Sequence, residues 1–191
     1  MITKLNRLAV FCGAFSGNRP EYLKAANDLA EALVKANIEL VYGGGHVGLM
    51  GHLAAQMLKL GGKIIGVIPR FLVDKELANA DLSELHVVDS MHERKLLLAK
   101  MADGFIMLPG GVGTLDEFFD VFTLAKIGLH NKPCGILNIA NFYDTLVNFL
   151  KKTVTEGFLD TISHEMIIVE NQPEQLLQRF MHYRSPLLRN Y

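Results

Sequence analysis

The chain has 191 residues, half of them hydrophobic and a fifth charged, which suits one domain with a full core and excludes a disordered segment. Nineteen basic side chains against 20 acidic ones leave a formal net charge of −1, which speaks against nucleic-acid binding by counterion release while leaving room for a local phosphate pocket. No apolar run approaches the ~20 residues that span a bilayer, so no membrane partner is expected.

The N-terminus offers no small-residue cleavage site and runs straight into "RLAVFCG" (7–13), a short buried strand closed by glycine; the expected location is the cytoplasm. A helix follows in "GNRPEYLKAANDLAEALVKAN" (17–37), with Asn18 placed to cap it, Pro20 in its first turn and Leu23, Ala26, Ala30, Leu33 and Val34 as its stripe. "IELVY" (38–42) is the second strand and "GGGHVGLM" (43–50) a tight turn. The next helix buries Met50, Leu53, Ala54, Met57 and Leu58 and ends at Gly61-Gly62. "KIIGVIP" (63–69) and "LHVVD" (85–89) are the third and fourth strands.

"SMHERKLLLAKMA" (90–102) is a helix, "GFIML" (104–108) a strand, and "TLDEFFDVFTLAKIG" (114–128) a helix. "PCGILNI" (133–139) is a strand, "YDTLVNFLKKTVTEG" (143–157) a helix, and "MIIVE" (166–170) a last strand before the helix "PEQLLQRFMHY" (173–183). Short, continuous, apolar strands alternating with helices predict a single α/β domain over residues 1–191: a doubly wound, Rossmann-like parallel sheet with helices on both faces. Cys12 and Cys134, each in an apolar strand-like run, are expected to be reduced and buried.

In such a sheet ligands bind beyond the carboxyl ends of the strands, where the strand order reverses. Three glycine-rich strand ends point there: "GAFSGN" after the first strand, "GGGHVG" after the second and "PGGVGT" after the fifth. "GGGHVG" fits the dinucleotide pattern G-x-G-x-x-G, but it follows the second strand, and the next strand ends Ile68-Pro69-Arg70 without the acidic residue that holds a ribose. "PGGVGT" lacks the Gly-Lys-Ser/Thr ending of an ATP-type phosphate loop, yet amides of Gly111, Gly113 and Thr114 at a helix start make an anion nest.

Ser90 and Glu93 have capping-box spacing, which gives Glu93 a structural role. Arg94 and Lys95 then lie in the first turns, where the helix dipole disfavours cations; they are either a solvated surface pair or an anion site. Thr114 and Glu117 repeat the capping spacing, so Glu117 is either a cap or a carboxylate facing whatever the phosphate carries. The seven histidines show no metal pattern, no G-x-S-x-G elbow occurs, and no lysine is marked for pyridoxal phosphate, so neither metal nor cofactor is expected.

"PGGVGTLDE" (109–117) resembles the P-G-G-x-G-T-x-x-E motif of the LONELY GUY family, the cytokinin riboside 5′-monophosphate phosphoribohydrolases, some of whose relatives were long labelled lysine decarboxylases. "VFCGAFSG", "VYGGGHVGLMG", "GVIP", "MHERK", "GLHNKPCGILNI", "YDTLVNFL" and "EGF" resemble family segments in the same order, over residues 8–170. The resemblance implies hydrolysis of the N-glycosidic bond of a nucleoside 5′-monophosphate, AMP or an N6-modified AMP, to free base and ribose 5-phosphate. By motif match, Arg94 and Glu117 are the catalytic pair. The substrate site takes Glu76, Arg94, Lys95, Gly110, Gly111, Val112, Gly113, Thr114, Leu115, Asp116 and Thr123, with Gly43, Gly44, Gly45 and Ser16 from the other strand ends.

"FLVDKELANADLSEL" (71–85) departs from the family's usual sequence around Glu76, and Asp116 stands where many members carry Glu. The alternative from another class is a non-catalytic nucleotide or cofactor carrier on the same sheet. The family is typically homodimeric. Leu115, Phe118, Phe119, Val121, Phe122, Leu124, Ala125 and Ile127 make one helix apolar over more than one stripe, which implies burial on a second side. A two-fold partner covers that side, or the chain's own C-terminal helix does.

Overall fold

The structure, a computed structural model, describes residues 4–73, 75, 79 and 82–187. Seven strands alternate with helices: β1 (Arg7–Phe11), α1 (Pro20–Lys35), β2 (Glu39–Tyr42), α2 (Gly48–Lys59), β3 (Ile64–Pro69), α3 (Arg70–Val73), β4 (Glu84–Val88) and α4 (Met91–Met101). Then come β5 (Gly104–Met107), α5 (Val112–Lys126), β6 (Cys134–Leu137), α6 (Asp144–Thr155), α7 (Thr161–Glu165), β7 (Ile167–Glu170) and α8 (Pro173–Met181), with a 3₁₀ turn at Ile139–Asn141. The strands form one parallel sheet in the order β4-β3-β2-β1-β5-β6-β7.

The sheet is the expected doubly wound one. The chain winds outward from β1 to β4, then returns to place β5 on the other side of β1, in register from Leu8 opposite Gly104 to Phe11 opposite Met107. The carboxyl ends of β1 and β5 therefore flank the point where the winding reverses, the position that leaves a crevice in open α/β sheets. Alternation along each strand divides the core. Leu8, Val10, Leu40, Tyr42, Ile106 and Leu108 pack on one face with α1, α2 and α8. Ala9, Phe11, Val41, Val67, Phe105 and Met107 pack on the other with α4 and α5.

Several local expectations need correction. Asn18 does not cap α1; the N-cap is Arg19, without a side-chain hydrogen bond, and Pro20 is the first helical residue. Helix α5 begins at Val112 with Gly111 as N-cap, two residues before Thr114, because a first helical turn needs no internal amide partners and so tolerates Gly113. The C-terminal helix α8 lies against α1 and the β6–β7 end on the face opposite α5, so it leaves the outer side of α5 uncovered. The short helices α3 and α7 carry too few periodic positions to announce themselves. No described helix is long and apolar enough to cross a membrane.

Candidate active site

A cavity of about 560 Å³ opens at the reversal point, lined from β1 by Val10, Cys12 and the 13–17 turn, from the start of α2 by Leu49 and Met50, and from α4 and α5 by Arg94 and Glu117. Its walls are mostly apolar, with Phe15, Tyr22 and Phe142 as the aromatic contribution. Polar function is concentrated on one side.

Helix α4 starts as its sequence predicts. Ser90 Oγ accepts the Glu93 amide at 3.1 Å, and Glu93 Oε2 accepts the Asp89 amide at 2.9 Å, one residue earlier than in a standard capping box. That cap aims Arg94 inward. Its Nη2 donates to Glu117 Oε1 at 2.8 Å, with both side chains nearly buried at 11 % and 12 % exposure. Burial holds the Glu117 carboxyl above its ordinary pKa, and Arg94 pulls only partly in the other direction. Glu117 is thus no cap. It is the acidic half of a buried ion pair facing a cavity.

One turn before Glu117, the first turn of α5 supplies the other polar element. Amides of residues 111–114 have no carbonyl partner within their helix, and the helix dipole concentrates positive potential there. A methyl group built on Gly111 or Gly113 would meet nothing within 4 Å. Neither glycine has a positive φ, so neither turn shape nor packing requires it. The turn is held from beneath: Gly13 N–H donates to Pro109 O at 3.1 Å, and the buried Tyr143 hydroxyl donates to Leu108 O at 2.8 Å.

Of the predicted residues, Arg94, Glu117, Gly110, Gly111, Val112, Gly113, Thr114, Asp116, Gly43, Gly45 and Ser16 line the cavity. Four do not. Lys95, one residue round the helix from Arg94, turns away and joins Asp116 at 2.8 Å and Asp120 at 3.5 Å, which raises its pKa. Leu115 packs into the α4–α5 core. The exposed Thr123 hydroxyl donates to Phe119 O at 2.7 Å. Gly44 sits in a left-handed turn against Ile68 and Leu85. Glu76 lies outside the described residues.

Cys12 corrects the expectation of a buried core thiol: it is half-buried and lines the cavity. The strand "RLAVFC" gave no sign of this, because Cys12 lies just past the end of β1, where alternation no longer holds. Burial, with Glu117 nearby, pushes its thiol well above the usual range. Cys134 is buried as expected.

A parallel α/β sheet, a helix start with unpartnered amides at its reversal point and a buried carboxylate–guanidinium pair beside it give this cavity the chemistry to take an anionic small molecule. The sequence profile of a family described as possible lysine decarboxylases matches residues 50–180. The cytokinin riboside 5′-monophosphate phosphoribohydrolases LOG3 and LOG2 of Arabidopsis thaliana are each 43 % identical over 182 residues, 95 % of this chain and 84 % and 85 % of theirs.

A molybdenum cofactor binding protein from Rippkaea orientalis shares the fold at 19 % identity, with a TM-score of 0.68 over 92 % of this chain and 94 % of that one. The molybdenum cofactor carrier protein of Chlamydomonas reinhardtii shares it at a TM-score of 0.65 and 19 % identity, over 92 % and 99 %. The chain belongs to the LONELY GUY family of phosphoribohydrolase-type proteins.

Proposed function

We propose that this protein is a nucleoside 5′-monophosphate phosphoribohydrolase that acts on AMP or an N6-modified AMP. The observation that carries the reading is the open first turn of α5, with Gly111 and Gly113 facing empty space, one turn before the buried Glu117. The amides of residues 111–114 hold the 5′-phosphate, and this remote binding energy fixes the ribose over Glu117. The C1′–N bond breaks with its electron pair leaving on the base, and positive charge builds on the ribose ring. The carboxylate of Glu117 stabilises that charge and aligns the attacking water. Water oxygen bonds to C1′ and keeps one proton as the new hydroxyl, while its other proton passes to the departing base. Arg94 holds the carboxylate in place through the 2.8 Å hydrogen bond. The apolar walls of the cavity receive the purine.

A chromatographic scan of free base released from a panel of nucleoside monophosphates, without added metal, tests this. Release of adenine or an N6-substituted adenine supports it; tight nucleotide binding without turnover overturns it in favour of a carrier.

The working assembly in this reading is a two-fold dimer through α4 and α5. Leu96 is 52 % exposed and Val112 84 %, and the groove between the helices, lined by Lys95, Leu96, Ala99, Asp120, Val121 and Leu124, is uncovered. Light scattering at micromolar concentration checks it, and a fully active species of 21.2 kDa would reject it.

A further inference from the structure

The motif "GGGHVG" is accounted for neither by a dinucleotide nor by the phosphate turn, and its first glycine has a singular neighbour. Gly43 follows β2 directly, and its φ is not in the left-handed region, so its backbone accepts any residue. What a side chain would meet is Arg94. A Cβ on Gly43 would collide with Arg94 Nη2, the atom that donates to Glu117, and would lie 3.1 Å from Arg94 Cζ and 3.1 Å from Met50 Sδ. The guanidinium has little room to yield and keep its bond: Nη1 is 3.9 Å from Met91 Sδ, and the side chain is only 11 % exposed.

We propose that Gly43 is a positioning residue whose missing side chain is the berth of the Arg94 guanidinium, so that the end of β2 sets the Arg94–Glu117 distance from below. Gly43 in this role touches no substrate. It differs from Gly48, whose Cβ would strike the backbone of Ala14 and Phe15, because the obstructing atom at Gly43 ends a flexible side chain. The chain folds around an added methyl by moving the arginine, and the loss falls on the pair and not on the fold. The kinetic part of this inference rests on the phosphoribohydrolase reading; the geometric part does not.

The test is Gly43→Ala, measured by crystallography and by kinetics on AMP, alone and with Arg94→Lys. The expected crystal structure keeps the fold and loses the Arg94 Nη2–Glu117 Oε1 hydrogen bond. The expected kcat falls about 10- to 100-fold while KM moves less than about threefold, since misplacing a catalytic group by around 1 Å has that effect and the phosphate turn is untouched. In the Arg94→Lys background, where no guanidinium is present to displace, the added methyl changes kcat less than about threefold. An intact 2.8 Å bond in Gly43→Ala, an unchanged kcat, or an equal loss in both backgrounds overturns the proposal. If Gly43→Ala fails to fold alone but folds with Arg94→Lys, the clash is with the guanidinium and the proposal stands; failure in both means the backbone needs glycine and sinks it. A wild type that releases no base removes the reaction, while the crystal structure still decides the berth.

Discussion

The turn after β2 and the turn after β5 are both rich in glycine, but a methyl group added to them meets quite different things. After β2, Gly48 has a φ of +62° and its Cβ would overlap the Ala14 backbone, while the Cβ of Gly51 would overlap the backbone of His46. Protein fills that space. After β5, Gly110 is packed against Thr114 and Gly13 in the same way, yet Gly111 and Gly113 look onto nothing. Gly113 stands in the first turn of α5, which tolerates glycine but does not need it. A glycine that neither packing nor backbone conformation requires points to a visitor. Glycine count alone does not separate the two uses; the surroundings of each absent Cβ do.

The strongest way to break this comparison is at Glu117, since the proposed use of the open turn for a phosphate needs a group to act on what the phosphate carries. Glu117→Gln is expected to fold and to release base at least ~100-fold more slowly, the scale of losing one electrostatic stabiliser. The same substitution has a pH signature. Because burial raises the Glu117 pKa, wild-type kcat/KM should fall on the acid side at a pH above the ordinary carboxylate range, and the variant should lack that limb. Linkage gives the stability sign: the raised folded-state value favours the fold below the unfolded pKa, and that contribution is lost as pH rises through the raised value. Glu117→Gln should therefore weaken the pH dependence of melting across that window. A fully active variant returns Glu117 to a structural role.

Next in size is the phosphate itself. AMP should exceed adenosine in kcat/KM by about 10²-fold, because the nucleoside has nothing for the first turn of α5 to hold. Equal turnover of the two would close the open turn as an argument.

The glycines sharpen the contrast directly. Gly48→Ala is expected to lose about 2 kcal/mol or more, a fall of about 4–8 °C in Tm, with normal activity in the molecules that remain folded. Gly113→Ala should leave Tm unchanged or slightly higher, while KM for AMP rises about 10-fold as the methyl enters the space kept for the anion. Thermal melts beside initial rates on both variants separate the two uses of glycine; the same outcome at both positions would erase the distinction.

The sheet was legible in the sequence because the central strands are short apolar runs and most long helices carry a stripe; β4, with His86 and an exposed face, and α4, which buries only Arg94 and Leu98, are the exceptions. The cap of α4 was legible for a similar reason, since Ser90 and Glu93 are local to each other. Tertiary neighbours were not. Arg94 and Lys95 read as a pair, but successive residues on a helix lie about 100° apart, so only one enters the cavity while the other meets Asp116 and Asp120. Thr114 and Glu117 read as a cap because the glycines before them look like turn, whereas the helix already starts at Val112. The berth under Arg94 was invisible for a different reason: it is a contact between the end of β2 and a side chain 51 positions further on, made by an atom that glycine does not have.

The two charged side chains of the site stand on neighbouring helices, which core packing spaces and the Lys95–Asp116 and Lys95–Asp120 ion pairs join at the surface. Leu98, one turn beyond Arg94, and Phe118, next to Glu117, are fully enclosed in the layer between α4, α5 and the sheet. The spacing of the two helix backbones is thus partly an interlayer distance, set by buried hydrocarbon, on which the berth at Gly43 then places the guanidinium. Because such interiors are nearly incompressible and transmit strain, trimming Leu98 or Phe118 would slacken the spacing of acid and arginine at the same time as it costs stability.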